Sequence, residues 1–524
     1  MILFGYFYEY ALLDVTRVYP LLRGDWTTYI AGENFVRTAP WLSFPIGRIP
    51  DYLAPAGTYL AQADAWPVLY PVYRVAAWVM PNRAFQLIGW QLFGGFLATF
   101  YVARAYFRRW APATADALQT ELFAAAGAVV AVSVPFFVTR MGHMALYQHW
   151  VLIWALIVAE RQLDADRGAA APVSRAAFLA PVAVAAVIQP YMAFLVLPVA
   201  CLPLLAGGRR NLGEAAIRVA AAFGVFLGIS WVLGYLGTGG QIDNYGFGLF
   251  TADVAAAIDP WPNSRVLPEL PGGTGEGFGY VGLGVLVLLL ARVATRFRFG
   301  RGDVRTWQWP LWAVVAAMAL YATLPRIELF GARVVDVSVL TDPISGLTSI
   351  ARANGRFMWP GLWLLILFAI RGASRLPVRA ALVLVAAGAL LQVADTRPRV
   401  VPTVADQSGP ALALVRGARA DGVTRIEFQP PLVTSDCNNP GWTDFTQIAP
   451  VVVAAATERL EVNSGYPARP NPRYRDLICI ENAQRFARGE YRTDVLYLLP
   501  PGASAPADLD CRPALSEMTA CRFR

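Results

Sequence analysis

Two carboxylates sit in the first polar stretch of a mostly apolar chain. They are Asp25, in Arg23-Gly24-Asp25-Trp26, and Asp64, in Ala63-Asp64-Ala65-Trp66-Pro67. A carboxylate held at a membrane surface can take the proton of an acceptor hydroxyl and so act as a general base. The plainer role for Asp25 is to cap a helix that begins at Trp26, which Asp does well. A second group is basic: Arg352 and Arg356, in Ala351-Arg352-Ala353-Asn354-Gly355-Arg356-Phe357, just ahead of an apolar run. Guanidinium grips phosphate through paired hydrogen bonds, so these two are candidates for a lipid phosphate. Their plainer role is ion pairing with loop carboxylates. The only histidines are His143 and His149. Six residues apart on a helix, they point about 120° away from each other, whereas an i,i+4 pair suits a metal. No metal site is assigned to them. His143 is a candidate substrate contact, and His149 is read as a satisfied polar residue between helices. Glu276 follows the run Gly272-Gly273-Thr274-Gly275. That run lacks the strand-to-helix setting and the lysine of a phosphate loop, so a nucleotide site is rejected. Glu276 is kept as a candidate sugar contact. Asp395 either marks a polar edge or ends the last apolar run.

The elements that must position these residues are apolar helices. The chain has 524 residues, 56% hydrophobic and 15% charged, with mean hydropathy +0.44. Soluble domains carry about 25% charged residues, and the repeated apolar runs point to an integral membrane protein. The net charge of +8 is carried entirely by arginine, without lysine. No nucleic-acid motif accompanies it, so nucleic acid is excluded as a partner and the positive-inside rule is the better account. A helical span needs about 20 apolar residues. On that measure 84–106 and 214–236 each read as one span. Residues 121–160 read as two, broken at Arg140-Met141-Gly142-His143. Residues 176–206 read as a pair of short or tilted helices broken at Gln189-Pro190, and 279–293, 308–325, 356–370 and 379–394 as one each. Met1 to Leu13 reads as the end of a first span whose start is missing, with a short interfacial helix as the alternative. The expected fold is thus an α-helical polytopic membrane protein of about eleven spans.

Arginine-rich connections alternate along the chain: Arg104, Arg108 and Arg109; Arg161 and Arg167; Arg209 and Arg210; Arg296, Arg298, Arg301 and Arg305; Arg371, Arg375 and Arg379. They mark the cytoplasmic side. The outer segments are then 14–83, 140–143, 237–278, 326–355 and the tail. Two domains follow, a membrane domain over 1–394 and an extracytoplasmic α/β domain over 395–524. In the tail, strand-like runs at 424–428 and 494–499 flank a helix-like run at 448–456. Asp243, Asn244 and Tyr245 add polar groups to the 237–278 loop. Of five cysteines, Cys201 lies in an apolar run and reads as core. Cys437, Cys479, Cys511 and Cys521 lie in the tail and suggest two disulfides on an oxidising side of the membrane. Their pairing stays open. The tryptophans Trp26, Trp41 and Trp66 suit a membrane interface.

Several segments carry a resemblance. Gly24-Asp25-Trp26, Pro40-Trp41 with Phe44-Pro45-Ile46-Gly47, Asp64-Ala65-Trp66-Pro67, Gly142-His143 with His149-Trp150, Glu276 to Gly284, and Arg352 to Pro360 resemble a family of uncharacterised bacterial polytopic membrane proteins. The match runs through nearly all of the membrane part and less far into the tail. In architecture that family is similar to the C-type (GT-C) glycosyltransferases, which use polyprenyl-phosphate sugars and place an essential acidic residue in the first outer loop. The resemblance implies a GT-C-like arrangement of the spans. It also implies Asp25 as the catalytic acidic position, Asp64 as a second carboxylate of the loop, and Arg356 with Arg352 at the lipid phosphate.

The expected activity is therefore glycosyl transfer at the outer face of the bacterial inner membrane, with a periplasmic C-terminal domain. The donor is a polyprenyl-phosphate-linked sugar in the membrane lipid, and the acceptor a glycan, glycolipid or protein. No cofactor is required by the sequence, and a divalent metal stays open. Two readings compete with it: a transporter or flippase for a lipid-linked glycan, and a non-catalytic scaffold of envelope-glycan assembly. Transporters place ionisable groups near the midplane of their spans. Here the polar residues cluster at the outer ends, which favours surface chemistry.

Overall fold

A computed structural model describes the chain apart from residues 167, 169, 207–211, 240–246, 273–274, 300–307, 345–347, 434–435, 438–440 and 524. Arg167, Arg209, Arg210, Asp243, Asn244, Tyr245, Gly273, Thr274, Arg301 and Arg305, named above, lie outside the described residues. The chain packs as two units. One comprises Met1–Tyr8, Gln91–Leu227 and Asp243–Arg399; the other comprises Glu9–Trp90, Gly228–Ile242 and Val400–Arg524.

The first unit is helical. Its helices include Ala117–Val132, Trp150–Asp166, Arg175–Ile188, Leu283–Phe299, Trp309–Thr323, Trp359–Ala373 and Val378–Asp395. Ala117–Val132 starts at a capping box. Asp116 accepts from the Gln119 backbone N–H at 2.8 Å, and its own N–H donates to Gln119 Oε1 at 3.1 Å. Val378–Asp395 packs on Ala117–Val132 and on Leu283–Phe299. The second contact demands glycine, because a Cβ at Gly284 would lie 2.1 Å from the Gly388 carbonyl oxygen. At the same contact Gln392 accepts from Val285 N–H and donates to the Val281 carbonyl, at 3.1 and 3.0 Å. Asp395 is fully buried and caps the facing helix: Leu283 N–H donates to its Oδ2 at 3.0 Å, and the Tyr280 hydroxyl at 2.8 Å. It therefore does more than end its own helix, since it fixes the loop that carries Glu276.

The expectation of about eleven spans in a GT-C-like arrangement is corrected here. Among the described residues three helices are long and apolar enough to cross a membrane: Leu212–Val232, Asn354–Ala373 and Val378–Asp395. A fourth results if Ala117–Val132 and Pro135–Gly142, bent by 54°, count as one span. Of the remaining apolar runs, 84–106 forms the 22-residue helix Ile88–Arg109, long enough to cross but not apolar enough, and others break into shorter pieces. Arg175–Ile188 has 14 residues and Trp309–Thr323 has 15. At about 1.5 Å per residue neither reaches across a core of about 30 Å. Ser174, whose side chain accepts from Ala177 N–H, starts the first of them, and Pro190 starts the next helix. The break at Pro190 is where the sequence placed it, whereas the start at Ser174 leaves the first helix too short to span.

The second unit is built around a five-stranded mixed sheet, in the order Glu461–Val462, Arg425–Phe428, Val495–Leu499, Thr519–Phe523 and Leu509–Pro513. The first three strands are parallel and the last two run antiparallel to their neighbours. The tail is thus a mixed-sheet domain, closed on one edge by a hairpin, which corrects the simpler α/β expectation. Val495–Leu499 is buried along its whole length, as a central strand requires. The cysteines pair as Cys437–Cys479 and Cys511–Cys521. The second bond joins residues directly opposite each other in the hairpin. Helix Phe445–Glu458 packs on helix Asp25–Phe35 in the same unit. The first polar segment therefore folds together with the tail sequence rather than with the helices that follow it.

Candidate functional site

Each unit brings predicted residues together. In the second unit, Asp25 is the first residue of helix Asp25–Phe35, after Gly24 at φ +54°. The carboxylate is half-buried and accepts a hydrogen bond from the Tyr466 hydroxyl at 3.2 Å. An acidic group in the first turn is favoured by the helix dipole. Thr28, one turn on, donates to the carbonyls of Tyr466 (2.6 Å) and Ala63 (3.3 Å). It thereby ties the helix to the turn that carries Asp64. The fit is close: a Cβ on Gly32 would lie 2.9 Å from Ala63 Cβ. Asp64 is half-buried and holds φ +55°, a conformation that L-residues adopt at a cost. Burial pushes the Tyr235 phenol up; the Asp64 charge adds to that, and Arg469 opposes it. Asp25 and Asp64 thus stand on adjoining segments, among Tyr466, Tyr235 and Arg469.

In the first unit a tighter cluster forms around Glu276. Gly355 touches Gly277: a Cβ on Gly355 would lie 2.7 Å from Gly277 Cα. Asn354 donates to the carbonyls of Tyr321 (3.0 Å) and Leu324 (2.7 Å), and Gly355 N–H to Phe250 O at 2.8 Å. These contacts set Arg356 against Glu276. Glu276 Oε2 accepts from Arg356 Nε and Nη2 at 2.9 and 2.8 Å, and from Arg140 Nη1 at 3.0 Å. Oε1 faces His143 Nε2 at 3.5 Å. Arg140 is buried and also donates to the carbonyls of Gly275 and Glu276, both at 2.9 Å. Its guanidinium lies 4.9 Å from the Trp359 ring, and that of Arg356 4.8 Å from the Tyr191 ring. Burial alone would raise the Glu276 carboxyl. Arg356, the His143 hydrogen bond and Arg140 outweigh it and hold the group well below the usual carboxylate range.

Beneath this cluster the Trp363 indole N–H donates to His149 Nδ1 at 2.9 Å. An indole nitrogen only donates, so Nδ1 is bare and the proton of a neutral ring sits on Nε2. His149 Nε2 and Trp359 Nε1 are fully buried, and neither has a hydrogen-bond partner among the described residues. The two rings lie 4.7 Å apart. His149 therefore sits among packed rings with one nitrogen bonded and the other without a partner among the described residues, and is not the fully satisfied polar residue expected.

The predicted residues thus divide between the units: Asp25 and Asp64 in one, and Arg356, His143 and Glu276 in the other. Arg352 is exposed. Glu276, expected at a sugar, binds guanidinium. The sequence reading passed over Arg140, although a lone charge inside an apolar run is itself a signal of function. Tyr466 had no such signal, lying 441 positions from its partner. Among the described residues no group of three or more His, Cys, Asp or Glu is placed to hold a metal.

The fold combines a mainly helical apolar unit and a disulfide-bonded mixed-sheet unit in one chain. The family described as "Domain of unknown function (DUF6311)" matches residues 1–397, and "DUF6311 C-terminal domain" matches residues 416–521. The chain belongs to the DUF6311 family. No curated protein and no solved structure matches it.

Proposed function

We propose that the chain is a membrane glycosyltransferase. It would move a sugar from a polyprenyl-phosphate-type lipid donor to an envelope glycan, glycolipid or protein at the outer face of the bacterial inner membrane. The observation that carries this reading is the Asp25 carboxylate, half-buried at a helix start and held by the Tyr466 hydroxyl at 3.2 Å, with Asp64 strained on the adjoining turn. Strain at a polar residue is a recognised mark of a working site. Asp25 takes the proton of the acceptor hydroxyl as that oxygen bonds to the anomeric carbon. The bond from that carbon to the phosphate oxygen breaks, and the lipid phosphate leaves. Asp64 orients the acceptor. Within their own cluster Arg356 and Arg140 offer the paired guanidiniums that a phosphate asks for. Two disulfides in the tail suit an oxidising compartment, and among the described residues three helices have the length and apolarity of spans.

The test uses the full chain in membranes, supplied with a panel of radiolabelled polyprenyl-phosphate hexoses and pentoses. Asp25→Asn keeps an acceptor oxygen for Tyr466 but loses the base, so transfer falls about 100-fold or more while melting is unchanged. Wild-type transfer by that variant removes Asp25 from the mechanism. No transfer from any donor by the native chain removes the function.

A further inference from the structure

We infer that the Glu276 side chain is a resident counter-ion occupying the seat of a phosphate group, which an incoming phosphate monoester or diester displaces. The inference rests on the proposed function's assignment of a phosphate-bearing substrate, and it names Glu276 as the residue that sets the affinity of that seat. Three features support it.

The first is the geometry of the ion pairs. Both guanidiniums converge on the single oxygen Oε2, at 2.8 to 3.0 Å, while among the described residues Oε1 faces His143 at 3.5 Å. A carboxylate matched to an arginine accepts through both oxygens in a fork. Here one oxygen does the work of two. A phosphate would offer each guanidinium its own oxygen.

The second is charge. Two arginines, Arg140 buried and Arg356 12% exposed, face the same carboxylate. An anion with more charge than a carboxylate is better matched to the pair.

The third is what stays behind when Glu276 turns away. Arg140 is anchored by the main-chain carbonyls of Gly275 and Glu276, not by the carboxylate alone. The Glu276 side chain is 22% exposed, so it has an outward path. The buried donors around Arg140 – its own Nε, Trp359 Nε1 and His149 Nε2 – lack partners among the described residues. A set that only donates calls for an acceptor-rich ligand such as an oxyanion, and not for a sugar hydroxyl.

The experiment measures phosphate binding by the full chain in detergent, by calorimetry and by thermal melting. The probes are inorganic phosphate and pyrophosphate. Glu276→Gln, which removes the competitor, is expected to bind at least about fivefold tighter than the native chain. Arg356→Gln is expected to bind at least about tenfold weaker. A structural counter-ion would give no gain in affinity, so equal or weaker binding by Glu276→Gln overturns the inference, as does the absence of binding by the native chain. If Glu276→Gln melts early, phosphate must restore its melting point by more than it raises that of the native chain; failure to do so also overturns it. Sedimentation with phosphatidylcholine vesicles, with and without phosphatidic acid, separates a lipid headgroup from free phosphate as the source. Phosphate binding without sugar transfer would sink the proposed function and leave this inference standing. Transfer without the gain at Glu276→Gln would do the reverse.

Discussion

The Arg140–Glu276 pair allows a sharp energetic prediction. Arg140 Nη1 lies 3.0 Å from Glu276 Oε2, and the two side chains are 6% and 22% exposed. At an effective dielectric near 20, charges about 3 Å apart attract by about 5 kcal/mol before desolvation is counted. Removing one partner of a buried pair costs about 3–5 kcal/mol, because the other charge is stranded. Glu276 is not stranded when Arg140 goes, since Arg356 still holds it at 2.8 Å. The lower end applies, so Arg140→Gln should cost about 3 kcal/mol. In a double-mutant cycle with Glu276→Gln, the coupling should be about 2 kcal/mol. The assay is equilibrium unfolding of the four proteins in detergent–SDS mixed micelles, followed by tryptophan fluorescence. Trp359, against which Arg140 packs, reports on the cluster directly. A coupling under about 0.5 kcal/mol would refute the reasoning, since that is the value of an exposed, screened pair. It would also undercut the inference about phosphate, which needs a desolvated seat.

Two further outcomes concern the tail. Cys437–Cys479 closes a loop of 42 residues and Cys511–Cys521 one of 10. Loop-closure entropy then gives upper values of about 4 and about 3 kcal/mol. Replacing the first pair by serine should lower the unfolding midpoint more than replacing the second; the reverse order would show that the strand pairing matters more than the loop. The Arg492 and Thr424 hydrogen bonds hold the Asp494 carboxyl down, at about 2. A depressed carboxyl binds its proton in the unfolded chain first. Its contribution is therefore complete above about pH 3.9 and is lost as pH falls from there to about 2. Across that window the native chain should lose stability relative to Asp494→Asn, and parallel acid-unfolding curves for the two would count against the assignment.

How much could be read from the sequence depended on whether the cause was local. The strand runs near Arg425 and Val495 and the helix near Phe445 follow from local patterns, and they appear as Arg425–Phe428, Val495–Leu499 and Phe445–Glu458. The alternative of ion pairing for Arg356 was also readable, because arginine among loop carboxylates has few other resting states. Three things were not. Span number failed because several apolar runs fold as helices of only 14 to 17 residues, while the surrounding hydropathy hardly changes; the break at Pro190 was itself readable. The partners of Asp25 failed because they come from the other end of the chain. Arg140 failed because it looked like a break between spans; its meaning depends on Gly277 meeting Gly355, a contact between glycines that carries no local pattern.

The placement of buried charge also bears on the choice between surface chemistry and transport. A conducting path needs ionisable groups that can change partners in series through the apolar region. In the helical unit two carboxylates are each held by several neighbours at once. Glu160 is paired with Arg371 at 2.6 Å and accepts from Tyr106 and Gln308, both at 3.1 Å. Arg371 in turn stacks on Trp110 at 3.6 Å. Asp395 is used up as the cap of the facing helix. Locked pairs of this kind hold helices together and relay nothing. The Glu276 cluster differs, because its carboxylate is held through one oxygen and its arginine is anchored independently by main-chain carbonyls. A group that can let go without collapsing its site is suited to exchanging one anion for another at a single place. That is the behaviour binding and group transfer require, and a relay would need it repeated along a path.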